Sequence, residues 1–288
     1  MNWITRQLKK ILPKKKKSLD VAVNSWQTCK RCKSANYIDD LRKNFYLCSC
    51  GSPFSCPPRE RFKYLFDNSK WEEVPYDTSF KDFLNWKDRI SYKERVQKSI
   101  EATGQDEVGV IAKGEINGTK VCCLAMNFLW AGGSVGHNFG ECVIKAAETC
   151  REENLPLVIF TESGGARMME GAISLMQLPR MTVAIQIFKD MKQRQASILF
   201  QCSPTSGGLS ASLANICDFT LAEHDTDLIA FSGRRVIEGT LGNQETIPDD
   251  FQTAISLKNN GFLDDIIERP KQKEKISTLI SLLQKKVA

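Results

Sequence analysis

The chain has 288 residues, of which 42% are hydrophobic and 26% charged, a composition typical of a folded globular protein with a sizeable core. No apolar run approaches the ~18 residues that a transmembrane helix needs, so no membrane span is predicted. The formal net charge of +6 is concentrated in residues 1–20, which hold seven Lys or Arg side chains against the single acid Asp20. The rest of the chain carries equal numbers of acids and bases, which excludes a generally nucleic-acid-like surface.

The basic N-terminal segment, residues 1–23, has apolar residues at helical spacing from Trp3 to Leu12, and Pro13 ends the pattern. Its position at the chain end favours a solvated tail. A membrane-surface or nucleic-acid-binding arm and a transit peptide are the alternatives.

A cysteine cluster follows in residues 24–57. Cys29-x-x-Cys32 is followed after fifteen residues by Cys48-x-Cys50, which nearly matches the spacing of a four-cysteine zinc ribbon. Two chelating turns of this kind place four thiolates tetrahedrally around Zn²⁺. Because so small a module has little core, the metal would supply much of its folding energy.

The second cysteine pair is one residue shorter than the usual pattern, since position 51 is Gly51. The fourth zinc ligand is therefore either Cys50, which we favour, or Cys56. Weakened or lost zinc binding is the third alternative.

The other six cysteines lie in apolar stretches such as Val121-Cys122-Cys123-Leu124, and the total of eleven is odd. This distribution is typical of reduced thiols that act as small core residues. No signal-peptide pattern precedes them. We therefore expect the protein to reside in a reducing cytoplasm.

Residues 58–95 are rich in aromatic and charged side chains and are expected to form a packed connector. In residues 96–288 strand and helix patterns alternate, which predicts an α/β domain of crossover units. It begins with a hairpin around Asn117-Gly118. The later predicted elements are a helix near 138–153, a strand at 157–160, a helix from 166 that Pro179 kinks or breaks, a strand at 197–201, a helix near 209–215, a strand at 219–222 and an amphipathic helix at 271–286.

Two predicted strand-to-helix junctions carry paired glycines, in Ser163-Gly164-Gly165-Ala166 and in Ser206-Gly207-Gly208-Leu209. The N–H groups of a helix's first turn are unpaired and lie at the positive end of the helix dipole. Without a Cβ atom in the way, a substrate carbonyl can approach them, as an oxyanion hole for a developing enolate requires. A tight turn alone would explain one Gly-Gly pair, but two pairs at corresponding junctions favour a site.

The chain has only two histidines, His137 and His224, and neither belongs to a nucleophile or metal motif. The glycine motifs of phosphate and dinucleotide loops are absent, and no G-x-S-x-G frames a serine. Chemistry that relies on backbone donors therefore fits the sequence better than Ser-His catalysis.

Four motifs in a fixed order carry a family resemblance: Gly132-Gly133-Ser134-Val135-Gly136, Glu162 to Met168, Ser206 to Ser212 and Gly233 to Glu238. Together with the cysteine cluster, they make the chain similar, over nearly its whole length, to the carboxyltransferase β subunits of bacterial acetyl-CoA carboxylase. The resemblance implies a crotonase-like spiral of ββα units behind a zinc ribbon. It also implies an assembly of two α and two β subunits.

The implied activity is transfer of a carboxyl group from carboxybiotin to acetyl-CoA, which gives malonyl-CoA for fatty acid synthesis. The implied partners are the α subunit, the biotin carboxyl carrier protein that supplies biotin, and biotin carboxylase, with one structural Zn²⁺ per chain and no stable membrane association. The resemblance assigns the backbone oxyanion hole to Gly207 and Gly208. It assigns the border of the CoA thioester to Gly164, Gly165, Ala166 and Arg167.

Two other functions stay open from the sequence. Residues 1–61 carry a net charge of +10, so the ribbon and the basic segment could bind RNA or DNA. Different side chains beside the glycines would instead select a longer acyl-CoA for the same chemistry.

Overall fold

The computed structural model describes residues 25–241 and 247–284. The chain divides into two compact units between Ser52 and Pro53. The basic segment predicted for residues 1–23 lies outside the described residues, as does most of the charge on which the nucleic-acid hypothesis depends.

The smaller unit contains a two-stranded antiparallel sheet, β1 (Trp26–Thr28) and β2 (Ala35–Tyr37), followed by helix α1 (Ile38–Lys43). Its buried apolar side chains include Leu41 and Tyr46. A core this small gives the unit little hydrophobic stabilisation of its own.

The larger unit is built on an eight-stranded sheet. Its strands are β3 (Trp71–Glu73), β4 (Gly109–Ile116), β5 (Thr119–Met126), β6 (Leu157–Ser163), β7 (Ser197–Ser206), β8 (Phe219–Glu223), β9 (Ile229–Ala230) and β10 (Asp265–Ile267). They lie side by side in the order β3-β4-β5-β6-β7-β8-β10, with β9 paired to β7. The pairs β3–β4 and β4–β5 are antiparallel and all the others are parallel.

Helices precede, connect and follow these strands. They are α2 (Pro58–Leu65), α3 (Tyr92–Thr103), α4 (His137–Glu153), α5 (Ala172–Lys189), α6 (Gly208–Ala211), α7 (Arg234–Leu241), α8 (Ala254–Asn259) and α9 (Gln272–Gln284). Because α4 joins β5 to β6 and α5 joins β6 to β7, two helical crossovers connect successive parallel strands. The α/β alternation predicted from the sequence is confirmed.

The hairpin predicted around Asn117-Gly118 is present, since β4 and β5 pair over their full length. Asn117 and Gly118 have φ angles of 48° and 77°, as a type I′ turn requires. The Asp67 carboxylate accepts hydrogen bonds from both of their N–H groups, at 3.2 and 2.8 Å. A side chain from outside the hairpin therefore fixes the turn.

The sheet separates two hydrophobic cores. One core contains the inner faces of α4 and α5, and the other contains those of α2 and α9. The adjacent Cys122 and Cys123 enter opposite cores, because successive side chains of a strand point to opposite faces. Both are fully buried free thiols, as predicted.

Helix α5 differs from its prediction in two respects. It begins at Ala172 rather than 166, because a 3-10 turn at Met168–Glu170 precedes it. It also runs through Pro179 to Lys189 without interruption, so the predicted break is wrong. Proline removes the hydrogen bond to the carbonyl four residues earlier, but Pro179 lies on an exposed part of the helix where this loss is tolerated.

Two further helices also differ from their predictions. The predicted helix near 209–215 is a single α-turn, α6, followed by a 3-10 turn at Leu213–Asn215. In α9 the residues Ile276, Leu279 and Ile280 are buried, but Leu282 and Leu283 are 55% and 39% exposed. The apolar face of α9 is therefore narrower than its sequence pattern indicates.

Candidate active site and metal centre

Three glycine pairs meet at the carboxyl ends of β6 and β7. Gly164-Gly165 follows β6 and Gly207-Gly208 follows β7, and these strands are parallel neighbours, so the two turns lie at the same edge of the sheet. A Cβ atom on Gly207 would lie 2.9 Å from the Gly165 Cα, so the two turns touch backbone to backbone. The third pair, Gly132-Gly133, is joined to them by a 2.9 Å hydrogen bond from the Gly164 N–H to the Gly132 carbonyl.

Gly207 shapes its turn but does not offer a free donor. Its φ and ψ of 73° and −153° fall in a region that is essentially restricted to glycine. Its N–H donates to the Ala230 carbonyl in β9 at 2.8 Å. The expectation that the Gly207 N–H is one of the oxyanion donors is therefore corrected, because this N–H is already paired.

Among the N–H groups at the convergence, those of Ala166 and Gly208 donate to no acceptor within the described residues. Gly208 is the first residue of α6, where a helix N–H has no partner in its own helix. The Ala166 nitrogen lies 3.9 Å from the position of a Cβ on Gly207. The N–H of Gly165, by contrast, is paired with the Ser163 hydroxyl at 3.0 Å.

Helix α5 packs directly against the second glycine turn. A Cβ on Gly208 would come within 2.2 Å of the Leu178 Cδ1.

The first glycine turn is only partly buried. Gly164 is exposed, Gly165 is buried and Ala166 is partly exposed, so this turn reaches the surface at its two ends.

Arg167 does not line the surface of this site. Its side chain is 0% exposed and forms ion pairs with Glu107 at 2.5 Å and Glu170 at 3.1 Å. Its guanidinium also stacks on Trp130, 4.5 Å from the ring centre. The expectation that Arg167 contacts CoA is wrong, because buried carboxylates already neutralise its charge beneath the glycine turn.

A second buried charge cluster lies next to the strand that carries the first glycine turn. Glu223 accepts hydrogen bonds from Arg61 at 2.6 Å and from Arg269 at 2.5 Å, and all three side chains are buried. Burial raises the pKa of the neighbouring Glu162 to about 7, although Ser55, Arg61 and Arg269 favour its ionised form. Sequence patterns did not identify this cluster, because its members lie far apart along the chain.

Four cysteines form the candidate metal centre: Cys29, Cys32, Cys48 and Cys50. Their Sγ atoms all lie within 4.8 Å of one another. The Cys29–Cys50 and Cys32–Cys48 separations are 3.7 and 3.5 Å, and tetrahedral Zn–S bonds of ~2.3 Å would require about 3.8 Å. Burial opposes ionisation of Cys48, but hydrogen bonds from the Cys50 backbone, Ser34 and Cys32 outweigh it and lower the pKa of that thiol to about 5.

Cys56 does not belong to this group. It lies in the larger unit and is buried, with its Sγ 3.8 Å from the Pro57 carbonyl. Burial raises the pKa of the Cys56 thiol, which disfavours the thiolate that a metal binds. The alternative that Cys56 is the fourth ligand is therefore corrected in favour of Cys50.

Within the described residues, no helix combines the length and the apolar character that crossing a bilayer requires.

Comparisons with known proteins point to one family. Residues 80–288 match the family model of the carboxyl transferase domain. An acetyl-coenzyme A carboxylase carboxyl transferase subunit beta from Dinoroseobacter shibae is 36% identical over 284 residues, which covers 98% of this chain and 87% of the relative. The protein of the same name from a Synechocystis species is 37% identical over 273 residues, covering 94% of this chain and 82% of the relative.

Solved structures share the fold at lower identity. A Pseudomonas malonate decarboxylase hetero-dimer matches with a TM-score of 0.60 at 19% identity, over 79% of this chain and 86% of that chain. The transcarboxylase 12S structure with hydrolysed methylmalonyl-coenzyme A matches with a TM-score of 0.61 at 22% identity, over 84% of this chain and 42% of that chain. These matches confirm the crotonase-like α/β fold.

Proposed function

Since this chain belongs to the family of acetyl-coenzyme A carboxylase carboxyl transferase β subunits, we propose that it transfers a carboxyl group from carboxybiotin, carried on the biotin carboxyl carrier protein, to acetyl-CoA. The product is malonyl-CoA for fatty acid synthesis. The observation that supports this chemistry in the structure is the convergence of the two glycine turns, where the Ala166 and Gly208 N–H groups have no partner among the residues that the structure describes.

These two N–H groups are proposed to bind a carbonyl oxygen that gains negative charge when an enolate forms, either on the acetyl-CoA thioester or on biotin. Negative charge grows on that oxygen as a proton leaves or a carboxyl group departs, and a fixed backbone donor stabilises it without reorganisation. A single such donor is worth ~3 kcal/mol of barrier. When bound at this site, a biotinyl group would supply the carboxyl group and would accept the proton, so the step would not need a histidine of this chain.

The glycines contribute by their lack of side chains. Gly207 allows the second turn to touch Gly165, and Gly164 and Gly165 leave the approach of a thioester to Ala166 unobstructed. We propose that these residues border the CoA thioester, with Arg167 supporting them from below rather than touching the substrate.

The metal centre is proposed to hold one structural Zn²⁺. Four sulfur donors at near-tetrahedral separations fit zinc, with no position left for a substrate. Cys29, Cys32, Cys48 and Cys50 would hold the ion and thereby fix the two turns of the smaller unit.

The active assembly is proposed to be an α2β2 heterotetramer with the carboxyltransferase α subunit, acting in the cytoplasm with biotin carboxylase and the carrier protein. Relatives of this chain are named as subunits, and a structural neighbour is a hetero-dimer. One polypeptide of this family therefore supplies only part of the enzyme.

The test is reconstitution of the full chain with a carboxyltransferase α subunit, carboxybiotin carrier protein and acetyl-CoA. Malonyl-CoA formation is the expected result. A complex that binds acetyl-CoA but transfers no carboxyl group would contradict the proposal. Rates with propionyl-CoA and longer acyl-CoAs, measured in the same assay, decide the substrate preference.

A further inference from the structure

The Arg167 side chain joins the glycine turn to the loop before α4. Its Nε donates to the Ser134 hydroxyl at 3.1 Å, and its Nη2 donates to the Ser134 carbonyl at 2.7 Å. The same guanidinium binds both carboxylate oxygens of Glu107, at 2.5 and 2.9 Å. All five guanidinium protons are directed into the protein, so this arginine is held in one orientation.

The backbone repeats the same connection on either side of Ala166. The Val135 N–H donates to the Gly165 carbonyl at 2.8 Å, and the Arg167 N–H donates to the Val135 carbonyl at 2.8 Å. In a parallel bridge of this kind, the N–H of the central residue points away from its partner. The direction of the Ala166 N–H is therefore set by the position of Val135, the neighbour of Ser134.

Two further elements are fixed to the same arginine. Its Nη1 lies 3.1 Å from the Tyr92 hydroxyl, at the start of α3, and 3.1 Å from Glu170. Glu170 also accepts hydrogen bonds from the Tyr92 hydroxyl at 2.5 Å and from the His137 N–H, at the start of α4, at 2.6 Å. A Cβ on Gly136 would lie 2.8 Å from the Arg167 Nη1, so the guanidinium packs closely against the backbone that leads into α4.

We propose that Arg167 is a positioning residue: it holds Ser134 and Val135 so that the Ala166 N–H stays directed at the reacting carbonyl oxygen. This inference rests on the donor role proposed above for Ala166. It differs from a substrate contact, because the buried guanidinium cannot reach CoA, and from general structural support, because it predicts a specific kinetic effect. Displacing a catalytic donor by ~1 Å can cost about 100-fold in rate.

The experiment compares Arg167→Lys with Arg61→Lys in the reconstituted complex. Arg61 is the matched control, since it is equally buried and paired with a carboxylate, Glu223 at 2.6 Å, in a network separate from the Arg167 contacts. Lysine keeps the positive charge but cannot span Ser134 and Glu107 together. We expect Arg167→Lys to lower kcat roughly 10- to 100-fold, with the KM for acetyl-CoA changed less than about threefold. We expect Arg61→Lys to keep kcat and KM at temperatures below its unfolding transition.

Two results would overturn the inference. A folded Arg167→Lys complex with unchanged kcat would show that the arginine has no positioning role. A raised KM for acetyl-CoA at unchanged kcat would show that it binds the substrate.

If Arg167→Lys does not assemble, Ser134→Ala provides the test, because it removes only the hydroxyl that accepts from Nε. We then expect a loss in kcat of roughly 3- to 10-fold, and an unchanged kcat would overturn the inference. If the wild-type complex itself transfers no carboxyl group, the proposed function is contradicted. The results for the variants test the role of Arg167 only when the wild-type complex is active.

Discussion

At the scale of single residues, Gly207 is a position where a side chain is poorly tolerated. Its φ and ψ of 73° and −153° strain any other residue by about 1–3 kcal/mol. An alanine Cβ would also lie 2.9 Å from the Gly165 Cα, so one turn would have to move away from the other. We expect Gly207→Ala to reduce carboxyl transfer by at least about 100-fold, because the two donors lose their relative positions.

The matched control for this substitution is Gly118→Ala in the hairpin turn. Gly118 also has a positive φ of 77°, but no atom of the described residues lies within 4 Å of an added Cβ. We expect it to lower the unfolding free energy by about 1 kcal/mol and to leave transfer unchanged. Equal activity in the two variants would contradict the importance of the contact between the turns.

Glu162 is expected to make stability depend on pH. Burial raises its pKa from 4.5 to about 7 in the folded state, while Arg61, Arg269 and Glu223 face it from α2, the turn before α9, and β8. Between pH 4.5 and 7 the folded protein therefore retains a proton that the unfolded chain has lost. The unfolding free energy therefore falls by about 3 kcal/mol as the pH rises through this window, and it stays level above it.

Glu162→Gln should remove this dependence. The unfolding free energy of the variant minus that of wild type should be about 3 kcal/mol more positive at pH 8 than at pH 4.5. Denaturant titrations across that pH range measure this difference. Glu223 titrates outside this window, since Arg269 and Arg61 overcome its burial and hold its pKa well below the usual range. Parallel stability profiles for wild type and variant would show that Glu162 is ionised in the folded protein.

The paired glycines could be predicted from the sequence, because Gly-Gly at a strand-to-helix junction is a local signal. The pairing of the Gly207 N–H depends on β9, which begins more than twenty residues later. The burial of Arg167 depends on Glu107, 60 positions away. Local motifs therefore locate the site, whereas the division of roles within it depends on contacts between distant parts of the chain.

At the scale of elements, α5 is expected to be more stable without its proline. Pro179 is exposed and lies within an uninterrupted helix, where it removes one backbone hydrogen bond and costs up to ~3 kcal/mol relative to alanine. We expect Pro179→Ala to raise the unfolding free energy by about 1–3 kcal/mol, as measured by thermal or denaturant unfolding.

The exposed Gln186 on the same helix gives the control, since Gln186→Ala changes helix propensity by only tenths of a kcal/mol. A destabilised Pro179→Ala variant would mean that the ring makes a contact that the helix needs.

Helix and strand positions were mostly predictable because the apolar periods are strong. The start of α5 was not, because the preceding 3-10 turn has no distinct sequence period.

At the scale of the whole molecule, the two compact units are expected to respond differently to metal removal. The smaller unit buries few apolar side chains, whereas the larger one buries many in the two large cores beside its sheet. A metal bound by Cys29, Cys32, Cys48 and Cys50 would therefore contribute most of the smaller unit's stability. We expect a strong chelator to unfold residues 25–52 while the larger unit keeps its unfolding transition.

Hydrogen exchange resolved along the chain is the suitable measurement, combined with metal analysis that should find about one zinc per chain. Cys32→Ser should reproduce the effect of the chelator, and Cys217→Ser, a substitution outside the four-cysteine group, should not. Unchanged protection of residues 25–52 after complete metal removal would contradict a structural role for the ion.

The strand order also bears on how the larger unit is synthesised. Strands β3 to β8 lie side by side in the order in which the chain encodes them, so each can pair with its predecessor as it leaves the ribosome. Helix α9, by contrast, packs against a part of the chain that is made much earlier, because its Ile276 and Ile280 share a core with Phe62 near the start of the unit. Until α9 has emerged, that core remains open and Arg61 lacks its contact with Gln272. A nascent chain cut short before α9 therefore presents an uncovered apolar surface to chaperones and proteases.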